Sequence, residues 1–404
     1  MLAIIRSIPQ YVWTLISLVV GISLGGFFPS KLAFVGNGTA SFLNGFIKVV
    51  PLLIFFALSP AIASLVKNGK GGKLAGYVIL WYVLTSIVAG LLGIIISSML
   101  FEMKPSNGEG SFQEILNMFS MLNGDAGASL PLVSILVAVL AGLLAIKIKP
   151  LDLFLQKVQN SISKSSSYLG YVMIPLILFL GITLGIKSGA KESLNNYALM
   201  TLYTFVLCLI WWLLYLLIVV KGFAKQPLKK IITKYYMPTA VFAAGTCSSL
   251  ATLPVNLDNI KKVGVKKDIA DFVLPVGSII NLDTSALAYV AYAPFILTVV
   301  FDLQISWTIL VMAWPAVVLF TIAAPGLPAG MGTALWSSTL FASMVGLEGE
   351  TKTEFIATWI ALSGGIPDML RTATNCTSDG FAAIFFNKIF NKDKGKEQVV
   401  SVQV

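Results

Sequence analysis

Asp368-Met369-Leu370-Arg371-Thr372-Ala373-Thr374-Asn375-Cys376-Thr377-Ser378-Asp379 sets three charged groups inside an otherwise apolar segment near the C-terminus. On an α-helix, at about 100° per residue, Asp368, Arg371, Thr372, Asn375 and Asp379 fall within one arc of roughly 100°. A charge at mid-bilayer costs about 2.5–3.5 kcal/mol even on the lenient insertion scale, so such a helix needs partners for its charges. An ion pair between Asp368 and Arg371, one turn apart, accounts for two of them. It leaves Asp379 and Asn375 unexplained. A polar stripe that binds a charged solute and cations accounts for all of them.

Composition places this helix in a membrane. Of 404 residues, 57% are hydrophobic and only 11% charged, against roughly 25% charged usage in soluble domains. The formal net charge is +10. In a soluble protein that would point to nucleic acid; here the lysines sit in short connections between apolar runs, as expected of topology control. Cys208, Cys247 and Cys376 show no CxxC spacing, so neither a disulfide framework nor a zinc site is expected. The chain has no histidine, which removes the commonest proton shuttle.

An apolar run from about Tyr11 to Phe28 is too long for a signal peptide and reads as the first span. Further spans are expected near 41–66, 74–101, 128–146, 165–187 and 196–220. The connections alternate in charge. Loop 67–73 holds Lys67, Lys70 and Lys73, loop 102–127 is acidic, loop 147–164 is basic, and Lys221 to Lys234 carries five lysines and no acid. By the positive-inside rule both termini and the basic loops are cytoplasmic, in a multi-pass cell-membrane protein.

The second half departs from simple spanning. Segment 235–257 is uncharged but interrupted by Ala244-Gly245-Thr246-Cys247-Ser248-Ser249 and by Pro254, with basic clusters on both flanks. A segment that starts and ends on one side is a re-entrant hairpin. Segment 306–347 repeats the pattern from the other face, with its tip at Ala323-Ala324-Pro325-Gly326-Leu327-Pro328-Ala329-Gly330. Between the two, 272–300 carries Asp283 as its only charge, and a charged helix at 352–389 follows the second hairpin. Each hairpin is thus followed by a helix with a polar interruption, in opposite orientations. This is the pattern of an inverted repeat with a binding site at the midplane.

The residues at those interruptions have matching chemistry. Ser248 and Ser249 offer hydroxyls and backbone N–H groups to a carboxylate at a helix N-terminus. Asn281, Asp283, Asn375, Asp379 and the freed carbonyls around Gly277 are hard oxygen donors suited to an alkali cation. Arg371 can hold a second carboxylate bidentately, and Asp368 can accept from an ammonium.

In these motifs the chain resembles the dicarboxylate/amino acid:cation symporters, the glutamate transporter family. Thr246-Cys247-Ser248-Ser249-Leu250-Ala251-Thr252-Leu253-Pro254 is similar to its serine-rich first hairpin, and Asn281-Leu282-Asp283-Thr284-Ser285 to its Asn-Met-Asp-Gly-Thr motif. Gly326 to Gly330 resembles the second-hairpin tip, Asp368 to Asp379 the last-helix motif, and Tyr82-Val83-Leu84-Thr85-Ser86 a segment that completes one sodium site. The resemblance implies an all-α polytopic membrane protein of eight transmembrane helices plus two re-entrant helical hairpins, arranged as inverted repeats and assembled as a homotrimer. Residues 1–73 and 102–195 would form a scaffold, 74–101 and 196–390 a moving transport domain, and 391–404 a cytoplasmic tail. Movement of that domain as a rigid unit, gated by the second hairpin, is elevator-type alternating access.

The same resemblance implies roles by position. Ser248, Ser249, Ser285, Leu327, Asp368, Arg371, Thr372 and Asn375 would contact an acidic amino acid, with Arg371 on its side-chain carboxylate and Asp368 on its ammonium. One sodium would sit on Gly277, Asn281, Asn375 and Asp379, and another on Tyr82, Thr85, Ser86, Asn281 and Asp283. A further sodium would rest on carbonyls of Thr321, Ile322 and Ala324. No cofactor beyond the coupling sodium, no enzymatic activity and no nucleic-acid partner are expected; membrane lipid is.

Departures from the family pattern bear on specificity. Leu282 stands where many members have methionine, Cys247 and Met369 where acidic-substrate members place an extra arginine, and Gly364 where many carry a carboxylate. Thr284 and Ser378 replace glycines. A C4-dicarboxylate, a small neutral amino acid and proton coupling are therefore the competing expectations. A passive channel would need a continuous polar pore, whereas this chain concentrates its polarity at one depth, and a receptor-like protein would be expected to show a sizeable soluble domain or tail.

Overall fold

The computed structural model describes residues 10–39, 41–42, 52, 55–56, 59–60, 62–63, 73–103, 134, 137–323 and 331–400. Most of the expected span at 41–66, the acidic loop beyond Met103, and the tip of the second hairpin, with Ala324 and Leu327, lie outside the described residues. Elsewhere the chain is helical, with no strand among the described residues. An all-α protein is the result.

Helix α1 (Gln10–Phe27) packs along α3 (Lys149–Leu214) through glycines on both sides. Cβ atoms at Gly21 and Gly25 would strike the backbone of Leu178 and Ile182, and those at Gly181 and Gly185 the backbone of Leu18 and Ile22. Small residues at four-residue spacing let two backbones touch, which replaces the hydrophobic drive that is missing between helices in lipid.

Helix α2 (Lys73–Leu100) is long and apolar enough to cross a membrane. Its exposed side chains, Tyr77, Leu80, Leu84, Val88, Leu91, Ile95 and Met99, form an apolar stripe at steps of three and four. In water a stripe of that size would be an aggregation hazard; it suits a lipid-facing helix. The opposite face carries Tyr82, Ser86, Ala89, Gly90 and Gly93, all buried.

The expected loop 147–164 is not a loop. α3 begins at Lys149 and continues to Leu214, and the gap expected between spans at 188–195 is reduced to a single non-helical residue, Gly189 (φ 74, ψ 160). Lysines spaced along a helix are as well solvated as lysines in a loop, so charge alone did not separate the two. Beyond α3 the chain continues as a π-helix, Tyr215–Phe223, turns at Lys225 (φ 54), and resumes in a short helix, Leu228–Ile231.

The first hairpin is α4 (Met237–Thr246) and α5 (Ser249–Lys262), joined by Cys247 in the left-handed region (φ 47) and by an extended Ser248. The tip thus falls within the six residues expected. Helix α6 (Lys267–Ile280) ends at Asn281 and Leu282, and α7 (Asp283–Phe295) begins immediately after them. Every side chain of α7 is buried, and α7 lies against α2, α8 (Trp307–Ala323) and the last helix. Helix α8 and α9 (Met331–Met344) are the two arms of the second hairpin and pack together.

The single charged helix expected over 352–389 is in fact two. α10 (Gly349–Ser363) and α11 (Ile366–Val400) are separated by Gly364, which is extended (ψ 177), and by Gly365 at φ 65. Two consecutive glycines followed by Ile366-Pro367 carry the break: glycine takes the positive φ without strain, and proline at the second position suits a helix start.

Candidate functional site

Broken helices release backbone groups, and the site forms where three breaks meet. At the α10–α11 break, the Tyr197 hydroxyl accepts from Ile366 N (2.9 Å) and donates to Gly364 O (3.2 Å). The neighbouring carbonyl of Ser363 accepts from Arg371 Nη2 at 2.9 Å. Tyr197 and Arg371 together satisfy the freed groups that an apolar interior would penalise.

Arg371 is 1% exposed. Besides Ser363 O, its Nη2 reaches Asp368 Oδ1 at 3.1 Å, and its Nε donates to Pro367 O at 3.3 Å. Both Nη2 hydrogens and the Nε hydrogen are therefore committed, and Nη1 has no hydrogen-bond partner. Asp368 matches it: one carboxylate oxygen meets Arg371 and Oδ2 has no partner. The ion pair that the sequence offered as the alternative to a binding stripe is formed, and each member keeps one open valence.

The second break, Asn281-Leu282, faces the middle of α11. Asn281 Nδ2 donates to Asp379 Oδ1 (2.8 Å) and to Ser378 Oγ (2.9 Å), while its Oδ1 has no partner. Asp283 Oδ1 accepts from Thr284 N (2.7 Å) and Ser378 Oγ (3.2 Å), and its Oδ2 has no partner. Asn375 accepts from Thr284 N (3.0 Å) and donates to Ser285 Oγ (3.0 Å). The Thr284 hydroxyl donates to Asp283 Oδ1 at 3.3 Å, and the Ser378 hydroxyl lies between Asp283 Oδ1, Asn375 O and the Asn281 amide.

Gly277 lies directly against Asp379 and Tyr82. A Cβ there would meet Asp379 Oδ1, and would come 2.6 Å from both Asp379 Cγ and the Tyr82 hydroxyl. Tyr82 itself donates to Val273 O at 3.1 Å. Ser86, one turn further along α2, is buried with an unpartnered hydroxyl, and Thr85 donates to Tyr82 O at 3.2 Å. α2 comes this close to α7 because Gly93 has no side chain to strike Leu287 O. The oxygens of Asn281, Asp283 and Ser86 that lack a hydrogen-bond partner are hard donors, a set that fits an alkali cation.

The third break is the first-hairpin tip. Ser248 Oγ accepts from Ala251 N (3.3 Å), so this hydroxyl caps its own helix. Ser249 Oγ accepts from Cys376 Sγ at 3.5 Å, which sets the tip on α11. Thr372 is buried on the same face of α11. Thr321 and Ile322 are buried at the end of α8, with the Thr321 hydroxyl donating to Val318 O.

Several contributors gave no signal in the sequence. Tyr289 and Tyr292 of α7 lie beneath the Arg371 guanidinium, at 4.5 and 5.7 Å from Cζ to the ring centres. Tyr235 donates to Asn256 Oδ1 (2.8 Å) and Thr377 O (3.1 Å), and Asn256 Nδ2 donates to Cys376 O (2.7 Å), which ties α5 and the segment just before α4 to α11. Trp211 and Tyr215 approach Asp283. Aromatic residues are abundant in apolar helices, so only packing identifies these.

Known proteins are similar to this chain in sequence. A model of the family described as "Sodium:dicarboxylate symporter family" matches residues 11–389. The chain is 24% identical over 424 aligned positions to the proton/sodium-glutamate symport protein of Bacillus caldotenax, covering 96% of this chain and 97% of that one. It is 25% identical to the C4-dicarboxylate transport protein of Brucella anthropi, over 73% and 71% of the two chains. To C4-dicarboxylate transport protein 2 of Mesorhizobium japonicum it is also 25% identical, over 71% and 70%. These relatives are transporters rather than enzymes. With a family model running from the first helix into the last, the chain belongs to the sodium:dicarboxylate symporter family.

Proposed function

We propose that the protein is a sodium-coupled symporter for an acidic amino acid, aspartate or glutamate, working by elevator-type alternating access as a homotrimer in the cell membrane. The observation that carries the substrate class is the half-open pair: Arg371 Nη1 and Asp368 Oδ2 are both buried and both without partners. A substrate carboxylate on the guanidinium and an ammonium on the aspartate complete the two together. Buried charges in a membrane interior need such completion. The unpartnered oxygens of Asn281, Asp283 and Ser86 support sodium as the coupled ion.

A C4-dicarboxylate is the second reading, favoured by the names of two relatives. It would satisfy Arg371 but set a second carboxylate in a site where Asp368 Oδ2 already lacks a partner. The test is uptake of labelled aspartate, glutamate, succinate and alanine into proteoliposomes, driven by a sodium gradient or by a proton gradient in sodium-free buffer. Sodium-driven uptake of aspartate or glutamate above the other two supports the reading. Preferential uptake of succinate or alanine, or equal proton-driven uptake without sodium, overturns it.

A further inference from the structure

Arg371 rests on a column of aromatic rings that reaches the second hairpin. Its Cζ lies 4.5 Å from the Tyr289 ring centre. Tyr289 stacks on Trp359 of α10 at 6.4 Å with an interplanar angle of 24°. Trp359 in turn stacks on Phe341 of α9 at 5.7 Å and 21°. Tyr292 buttresses the column from the side, edge-on to Tyr289 at 88°, and is itself fixed by a 2.7 Å hydrogen bond between its hydroxyl and Thr204 Oγ1. Tyr289, Trp359 and Phe341 are all fully buried.

A guanidinium over an aromatic face is held by cation–π attraction and by planar stacking, an effect that grows when water is excluded. One face of Arg371 is thereby closed, and a carboxylate must approach the edge of the guanidinium, where the N–H groups point. The bonds to Ser363, Pro367 and Asp368 hold Nη2 and Nε, and the Tyr289 ring, with Tyr292 further off, backs the head on the side of the open Nη1. Without the ring, the head can tilt and give its open Nη1 to Asp368, whose Oδ2 is free to receive it. The pair would then close on itself.

We infer that Tyr289, backed by Trp359 and Phe341, is a positioning residue that keeps Arg371 open to a substrate carboxylate and so sets the preference for acidic over neutral substrates. The inference rests on the proposed function, since it assigns Arg371 to a substrate carboxylate. Tyr289 acts through Arg371 and touches no substrate in this scheme. Phe341 belongs to an arm of the second hairpin, so the column also links the reading of the carboxylate to that hairpin.

The experiment compares wild type, Tyr289→Phe, Tyr289→Leu and Trp359→Leu in detergent, with aspartate and alanine affinities measured by calorimetry and sodium affinity measured without substrate from tryptophan fluorescence. Tyr289→Phe keeps the ring and should bind aspartate within about twofold of wild type. Tyr289→Leu should lose about five- to thirtyfold in aspartate affinity, the range of a desolvated cation–π contact. Alanine and sodium affinities should not move, which separates positioning from general damage. Trp359→Leu should shift the aspartate-to-alanine ratio in the same direction by a smaller factor. If Tyr289→Leu does not survive purification, Trp359→Leu and Phe341→Leu carry the test, and unchanged selectivity in both overturns the inference. Aspartate binding by wild type together with an unchanged Tyr289→Leu, or a Tyr289→Phe as impaired as Tyr289→Leu, also overturns it. Wild-type protein that binds no acidic amino acid removes the proposed function and this inference with it.

Discussion

Arg371 Nη2 and the carbonyl oxygen of Ser363, eight residues apart, are joined by a 2.9 Å hydrogen bond that spans the break between α10 and α11. The guanidinium proposed to meet the substrate is therefore also a structural brace for the backbone that exposes it. A change at the break should be felt at the guanidinium.

Gly365→Ala tests that link. Gly365 sits at φ 65, and a Cβ would come 2.5 Å from the Tyr197 hydroxyl that bridges Gly364 O and Ile366 N. Left-handed strain and loss of the bridge together should cost about 1–3 kcal/mol. A lower melting temperature with weakened substrate binding is expected; full stability and unchanged binding would show that the break is not braced in this way.

Asp379→Asn should abolish or severely weaken sodium-dependent substrate binding while the protein stays folded. The change removes the formal charge that attracts a dehydrated cation in a low-dielectric site. It also relieves a buried charge, so thermal stability should hold or rise. Substrate titrations at increasing sodium report the outcome, and an unaltered sodium dependence would exclude Asp379 from the cation site.

Gly277→Ala addresses the same site by volume rather than by charge. The new methyl group would occupy the space against Asp379 Oδ1 and the Tyr82 hydroxyl. Displacing either group should raise the half-saturating sodium concentration at least about tenfold, with normal assembly on size-exclusion chromatography. A sodium titration like that of wild type would place the cation elsewhere.

Tyr235→Phe should loosen the first hairpin from the last helix. It removes the 2.8 Å bond to Asn256 and the 3.1 Å bond to Thr377 O, and leaves both acceptors buried. Unsatisfied buried groups of this kind cost about 1–3 kcal/mol. The measurement is the melting temperature together with hydrogen exchange across residues 237–262, which should increase. Unchanged exchange would mean that Asn256 and Cys376 O, bonded at 2.7 Å, hold the hairpin by themselves.

Orientation is tested at Lys229, exposed at the start of the first-hairpin unit. Five lysines lie between 221 and 234, and the positive-inside bias puts them in the cytoplasm. In a background lacking Cys208, Cys247 and Cys376, Lys229→Cys should resist an impermeant thiol reagent in right-side-out vesicles. Ready labelling from outside would reverse the proposed topology.

The amino-acid sequence by itself determined the class of protein and which polar residues share one helix face. Long continuous apolar runs with charge confined to a few positions point to helices in a membrane, and an Asp-Arg-Asn-Asp stripe on one such helix has to face partners. Because the stripe follows from the helical period alone, Asp368, Arg371, Asn375 and Asp379 could be placed on one face before any contact was known. The Ser/Gly interruption at 244–249 likewise marked the first-hairpin tip, since a turn at membrane depth needs residues that tolerate it.

Tertiary structure decided the rest. The loop expected at 147–164 is helix because lysines are solvated equally well in either state, and the helix expected over 352–389 is broken at Gly364 and Gly365. Gly364 read in the sequence only as a missing carboxylate; in the structure its carbonyl is held by Tyr197 from 167 residues away. Tyr289, Trp359 and Phe341 were three aromatics among many until packing aligned their rings beneath Arg371. Local sequence fixes periodicity and cost, but which polar atoms are left without partners depends on contacts between distant helices, and the binding role proposed for the stripe rests on those open valences at Arg371, Asp368, Asn281 and Asp283.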